Sequence, residues 1–154
     1  MNEIGNDTEK FLDVLCDGVL IIDRNFKVVF VNKAMLGLCE QKIEDVIGQR
    51  CHVFSHNCPT PCTPLISEAG KSEFVCPHRN IFKAGAPISI IHTHIFPDGR
   101  ERIFEITASP VKDEKGNVVY MIEVLRDITE KKKAEDGLKE HEAFLYSILE
   151  GIGD

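Results

Sequence analysis

A chain of 154 residues, 43% of them hydrophobic, is one domain's worth and can bury a core without staples. Its net charge of −7, with no basic run beyond Lys131-Lys132-Lys133, excludes nucleic-acid binding as the main activity. Apolar runs such as Val19-Leu20-Ile21-Ile22 are too short to cross a bilayer, and the polar, acidic start MNEIGNDTEK is no signal peptide.

Residues 1–9 read as a tail, and residues 10–17 as a short helix with Phe11, Leu12 and Leu15 on one face. Gly18 to Ile22 and Lys27 to Val31 read as strands, with turn chemistry in Asp23-Arg24-Asn25 between them. Asn32 is placed to cap a helix from Lys33 that presents Ala34, Leu36 and Leu38. Ile43 to Val46 gives one helical turn, stopped by Gly48. After a cysteine- and histidine-rich stretch, a helix is expected near Pro77 to Lys83, ended by Gly85.

The second half reads as a meander. Ile88 to Phe96 and Glu101 to Val111 flank an Asp98-Gly99 turn, and Lys115-Gly116-Asn117 leads into Val118 to Leu125. Together these elements predict an α+β fold, a five-stranded antiparallel sheet with short helices on one face.

Beyond Asp127-Ile128-Thr129 the composition turns charged and helix-prone. Leu138, Leu145 and Ile152 repeat at heptad spacing, with Ala134, His141 and Ile148 on the alternate position. A signalling helix over residues 131–154 is therefore expected, and a homodimer through it or through the N-terminal helix. Phe144 to Glu150 echoes the apolar spacing ahead of Asp17-Gly18, as if a second copy of the module began there.

Three stretches carry a resemblance: "DGVLIIDRNFKVVFVNKAM", "IEDVIGQ" and "ITASPVKDEKGNVVYMIEVLRDITE". Residues 10–130 resemble the PAS sensor domains. The resemblance implies a sheet cupping a pocket under small helices, dimerisation, and a signalling role ahead of a sensor histidine kinase or a diguanylate cyclase in the same chain. It also implies that the exit passes through Asp127, Ile128 and Thr129. Within this chain there is no Gly-rich nucleotide loop and no persuasive acid/base pair, so the fragment itself is expected to be non-catalytic. The flavin photosensors of the family carry a reactive cysteine in Asn-Cys-Arg-Phe. Here Gln49-Arg50-Cys51-His52-Val53-Phe54 lacks that Asn and that Arg, which argues against light sensing.

Four of the six cysteines fall between Cys51 and Cys76. Nothing in the sequence exports the chain, so a reducing, cytoplasmic setting is expected, even if the parent is anchored in a membrane, and structural disulfides are disfavoured. "GQRCHVFSHNCPTPC" and "CPH" resemble a cysteine-rich subgroup of the family, with Cys51, His56, Cys62 and Cys76 at the matching positions. Cys58 is an addition that leaves the fourth ligand open. Soft and borderline donors of this kind suit zinc or an iron–sulfur cluster, the latter needing the thiolates of Cys51, Cys58, Cys62 and Cys76. A thiol redox switch and plain buried cysteines are the alternatives. Covalent haem would want Cys-x-x-Cys-His, which is absent, while haem on a single histidine or another small ligand stays open. Prolines at 59, 61, 64 and 77 stiffen the loops. His92 and His94 share one face of their strand with Ile88, Ile90 and Phe96, so a place in the ligand pocket is open to them. His52 and His78 are expected at the surface, and Cys16 and Cys39 as small buried residues in helices.

The expected function is a PAS sensory module that reads a metal, a redox state or a small ligand and relays it through its C-terminal helix. A constitutive dimerisation module with structural zinc, and an apolar small-molecule sensor with incidental cysteines, are the rivals.

Overall fold

The computed structural model describes residues 3–61 and 76–152. Eleven elements follow one another: α1 (Glu3–Asp13), β1 (Gly18–Asp23), β2 (Val28–Val31), α2 (Lys33–Cys39), α3 (Ile43–Val46), α4 (Cys51–His56), α5 (Pro77–Ala84), β3 (Ile88–Ile95), β4 (Glu101–Lys112), β5 (Val118–Asp127) and α6 (Thr129–Ile152). The five strands form one antiparallel sheet in the order β2-β1-β5-β4-β3. The first hairpin and the final meander thus meet at β1 and β5, which pair from Gly18↔Leu125 to Asp23↔Tyr120.

One face of the sheet carries the core. Phe104, Ile106, Met121 and Leu125 alternate along β4 and β5 with more exposed residues, as the period of two requires, and Leu20 and Ile22 of β1 join them, with the intervening Ile21 less buried. Met35, Val46, Phe54 and Ile81 close over them from α2, α3, α4 and α5. Helix α2 lies very near β1: a Cβ added at Gly18 would come within 2.9 Å of Met35 Sδ. The side chain of Asn32 caps α2 through Met35 N, and Gly85, at φ 65°, ends α5.

Three local expectations need correction. The first helix covers Glu3–Asp13 rather than residues 10–17, so the segment read as a tail is partly helical. Cys16 therefore lies past its end and is exposed, whereas Cys39 is buried in α2 as expected. A helix also occupies Cys51–His56, a stretch read above without a helix. It lacks a side-chain cap at Arg50 and is stopped by Asn57 at φ 49°.

Helix α6 is continuous over 24 residues. Its start is anchored to β4: Ile128 N donates to Ile103 O at 2.9 Å, and Ile103 N donates to Thr129 Oγ1 at 3.0 Å. Leu138, Leu145, Ile148 and Ile152 are all exposed in the single chain. No helix among the described residues is long and apolar enough to cross a membrane.

Candidate functional site

The strongest concentration of chemistry lies between α4, α5 and the inner face of β3, β4 and β5. Strand alternation turns His92 and His94 of β3 inward, toward the helices. His56, the last residue of α4, meets both: its ring centroid stands 4.5 Å from each of theirs, and theirs are 5.3 Å apart. One ligand atom from each of the three imidazoles lies within 4.8 Å of the others. His94 is 2% exposed and packs edge-on against Phe104, with centroids 5.0 Å apart.

The same narrow cavity, about 20 Å³, is also lined by Cys51, Cys76 and Glu123. Cys51 opens α4, Cys76 precedes α5, and Glu123 sits at the centre of the sheet between Leu20 of β1 and Ala108 of β4. A volume of this size admits one water or an ion and no organic cofactor.

Burial sets the protonation states here. It depresses His56 to about 3, helped by the nearby His92 and His52, and His92 to about 4. His94 is held well below the ordinary imidazole range, by burial first and then by His56 and His92. Burial also raises Glu123 to about 8, with the Cys76 thiol adding to the effect. The Cys51 thiol is pushed up by burial, Glu123 and Cys76. At neutral pH the cavity thus holds neutral imidazoles, the protonated Cys51 thiol and a largely protonated carboxyl group.

Of the residues singled out from sequence, Cys51, His56, Cys76, His92 and His94 come together at this cavity. Cys58 does not: it is half-exposed after α4, 3.7 Å from Thr60 Oγ1, and contact with Thr60 lowers its thiol pKa. Cys62 lies outside the described residues. His52 and His78, expected at the surface, are buried instead. His78 stacks on Phe26 with centroids 3.9 Å apart and its Nε2 lies 2.8 Å from Asp23 O. His52 meets Phe26 edge-on, and neither of its ring nitrogens has a hydrogen-bond partner among the described residues. Both imidazoles contact Phe26 of the first hairpin, which sits at φ 68°. Glu123 was missed, although its parity with Met121 and Leu125 in an apolar strand was a readable signal.

At the far side of β4 lies the exit. Asp127 Oδ1 accepts from Thr129 N at 2.9 Å and from Thr129 Oγ1 at 2.5 Å, while its Oδ2 stands 3.6 Å from Arg102 Nη1. Arg102 and Phe104 are the β4 partners of His94 and His92. The segment Arg102–Phe104 therefore borders the histidines on one side and the start of α6 on the other.

A family profile described as "PAS domain" matches residues 17–130. Sensor histidine kinase TmoS of Ectopseudomonas mendocina is 30% identical over 149 residues, covering 91% of this chain and 14% of its own length. This chain thus spans a small part of that relative. Among solved structures, an RNA-binding light-oxygen-voltage receptor superposes with TM-score 0.68 at 17% identity, over 91% of this chain and 37% of that one. The PAS domain of a Colwellia psychrerythraea protein gives 0.62 at 20% identity, over 83% and 99%. The PAS domain of nitrogen regulation protein NR(II) from Vibrio parahaemolyticus gives 0.58 at 18%, over 79% and 97%. At these identities the structural likeness carries the fold alone.

Proposed function

The chain belongs to the PAS domain family, and on that premise we propose that it is the sensory input of a longer signal-transduction protein, received at the Cys/His cavity and sent out through α6. A sensor histidine kinase is the favoured parent, because the curated relative bears that name; a diguanylate cyclase is the alternative. The observation that carries the reading is the double contact of Arg102–Phe104. On one side these residues pair with His92 and His94; on the other, Arg102 and Ile103 hold Asp127 and Thr129. A change of occupancy or oxidation at the cavity shifts β3 against α4. That shift passes to the β4 segment and alters the hydrogen bonds that fix the first turn of α6. The cavity's size and its polar lining favour an ion or a thiol change over an apolar organic ligand.

Amide hydrogen exchange tests this. Adding Zn²⁺, or oxidising the thiols with tetrathionate, should change protection at Ile128, Thr129 and Lys132 several-fold in the full chain. Thr129→Val, which removes the acceptor for Ile103 N, should abolish that response without unfolding the sheet. Exchange at these amides indifferent to both treatments would overturn the proposal.

A further inference from the structure

We propose that His56, His92 and His94 form a three-imidazole site for a divalent first-row transition metal ion, zinc foremost, whose open position faces Cys51, Cys76 and Glu123. The site deepens the sensory reading above, and rests on it only for its role as the input.

Geometry is the main argument. The three rings arrive from two elements, and their planes meet at 57°, 69° and 81°, so that no two of them stack face to face. Three nitrogens bound to one tetrahedral zinc at about 2.1 Å stand about 3.4 Å apart. The ligand atoms here lie within 4.8 Å of one another, so closure needs side-chain rotations of about 1 Å. The spacing His92, His94 on one strand, with β3 pinned to β4 along its whole length, gives two of the ligands a rigid base.

A second observation concerns satisfaction. His94 is almost fully buried, yet its Nδ1 has no hydrogen-bond partner among the described residues. A buried imidazole nitrogen without a partner is costly, and coordination would supply one.

Donor chemistry narrows the ion. An all-imidazole face suits zinc, copper, nickel or ferrous iron and disfavours calcium and magnesium, which take oxygen. A cluster held by four thiolates is disfavoured, because Cys58 does not line the cavity. The thiols of Cys51 and Cys76 and the Glu123 carboxyl border the remaining space, where a fourth ligand or a water would sit.

Equilibrium dialysis and absorption spectroscopy with Co²⁺ and Zn²⁺, on chelator-treated full chain under reducing conditions, provide the test. About one ion per chain should bind, and His92→Gln, His94→Gln and His56→Gln should each weaken binding by more than about 100-fold, beyond what loss of an outer-shell partner does. Cys58→Ser should change nothing. His56→Gln, at a half-buried helix end, keeps the test open should His94→Gln fail to fold by circular dichroism. An intense thiolate-to-cobalt band lost in Cys51→Ser and Cys76→Ser, with the histidine variants binding normally, would overturn the assignment; so would an absence of saturable binding. Exchange at the α6 hinge, read on the same samples, separates the two proposals. Metal held by the histidines with a silent hinge refutes the sensory role and leaves the site. No metal, with a hinge that responds to tetrathionate, refutes the site and leaves the sensory role.

Discussion

Two buried polar clusters stand on opposite flanks of this sheet, and they treat their hydrogen bonds differently. Asn32, fully buried, uses its whole amide: Oδ1 accepts from Val19 N at 2.8 Å and Met35 N at 3.1 Å, and Nδ2 donates to Leu12 O at 2.9 Å and Asp17 O at 3.0 Å. It ties together α1, β1 and α2, and its chemistry is complete. The histidine cavity is also buried, but it leaves His94 Nδ1 without a partner among the described residues and holds a carboxyl group away from its ordinary ionisation. A satisfied polar cluster holds a fold together. One that leaves bonding capacity unmet under the same burial leaves a polar atom that a ligand could satisfy.

That contrast is best broken first at Asn32. Asn32→Ala would strand two amides and two carbonyls, and should cost about 3 kcal/mol of stability by urea unfolding, with any metal binding retained per folded molecule. A smaller loss than that of an ordinary surface substitution would remove Asn32 from its structural role.

Glu123 sharpens the comparison through pH. Its pKa rises from 4.5 to about 8 in the folded chain, so between those values the native state holds a proton that the unfolded chain has released. Its contribution to stability is therefore full below 4.5 and falls as pH rises toward 8. The thiols of Cys51 and Cys76 and the imidazoles of His56, His78, His92 and His94 share its cavity, and burial holds those imidazoles below their ordinary range and the Cys51 thiol above its own. In metal-free protein, Glu123→Gln should flatten the decline between pH 5 and pH 8 by on the order of 2 kcal/mol. Parallel profiles for the two proteins would mean that the carboxylate is compensated in the fold.

The smallest effect is expected at the proposed metal site. His94→Phe keeps the edge-on packing against Phe104 and removes the orphaned nitrogen, so metal-free stability should move by less than about 1 kcal/mol. The gain in melting temperature on adding Zn²⁺ should disappear altogether. A large loss of metal-free stability would show that His94, like Asn32, is structural.

Sequence and structure agree where periodicity is strong. Every strand, the α2 cap at Asn32 and the exit at Asp127-Ile128-Thr129 could be read from alternation, turn residues and composition. Helix α4 was hidden because six residues show less than two turns, and Arg50 offers no capping oxygen. The site was half legible. His92 and His94 declare a common face by their spacing, but nothing local joins them to His56, which arrives through the packing of α4 on β3. Crowding of cysteines along the chain drew attention to Cys58, which a turn at Asn57 carries away from the cavity. The burial of His52 and His78 depends on Phe26, a contact across the fold that no local pattern announces.

The continuity of α6 has a mechanical consequence. Twenty-four residues at 1.5 Å each make a rod about 36 Å long, hydrogen-bonded to the sheet at its base. Pivoting such a rod by about 5° at Thr129 displaces its far end by about 3 Å, more than half the pitch of a helical turn. The base is set by bonds to Ile103 and Asp127 within one side-chain length of each other, so a sub-ångström adjustment there is geometrically amplified along the rod. The domain can remain close-packed and nearly immobile while whatever follows Ile152 experiences a large change of position.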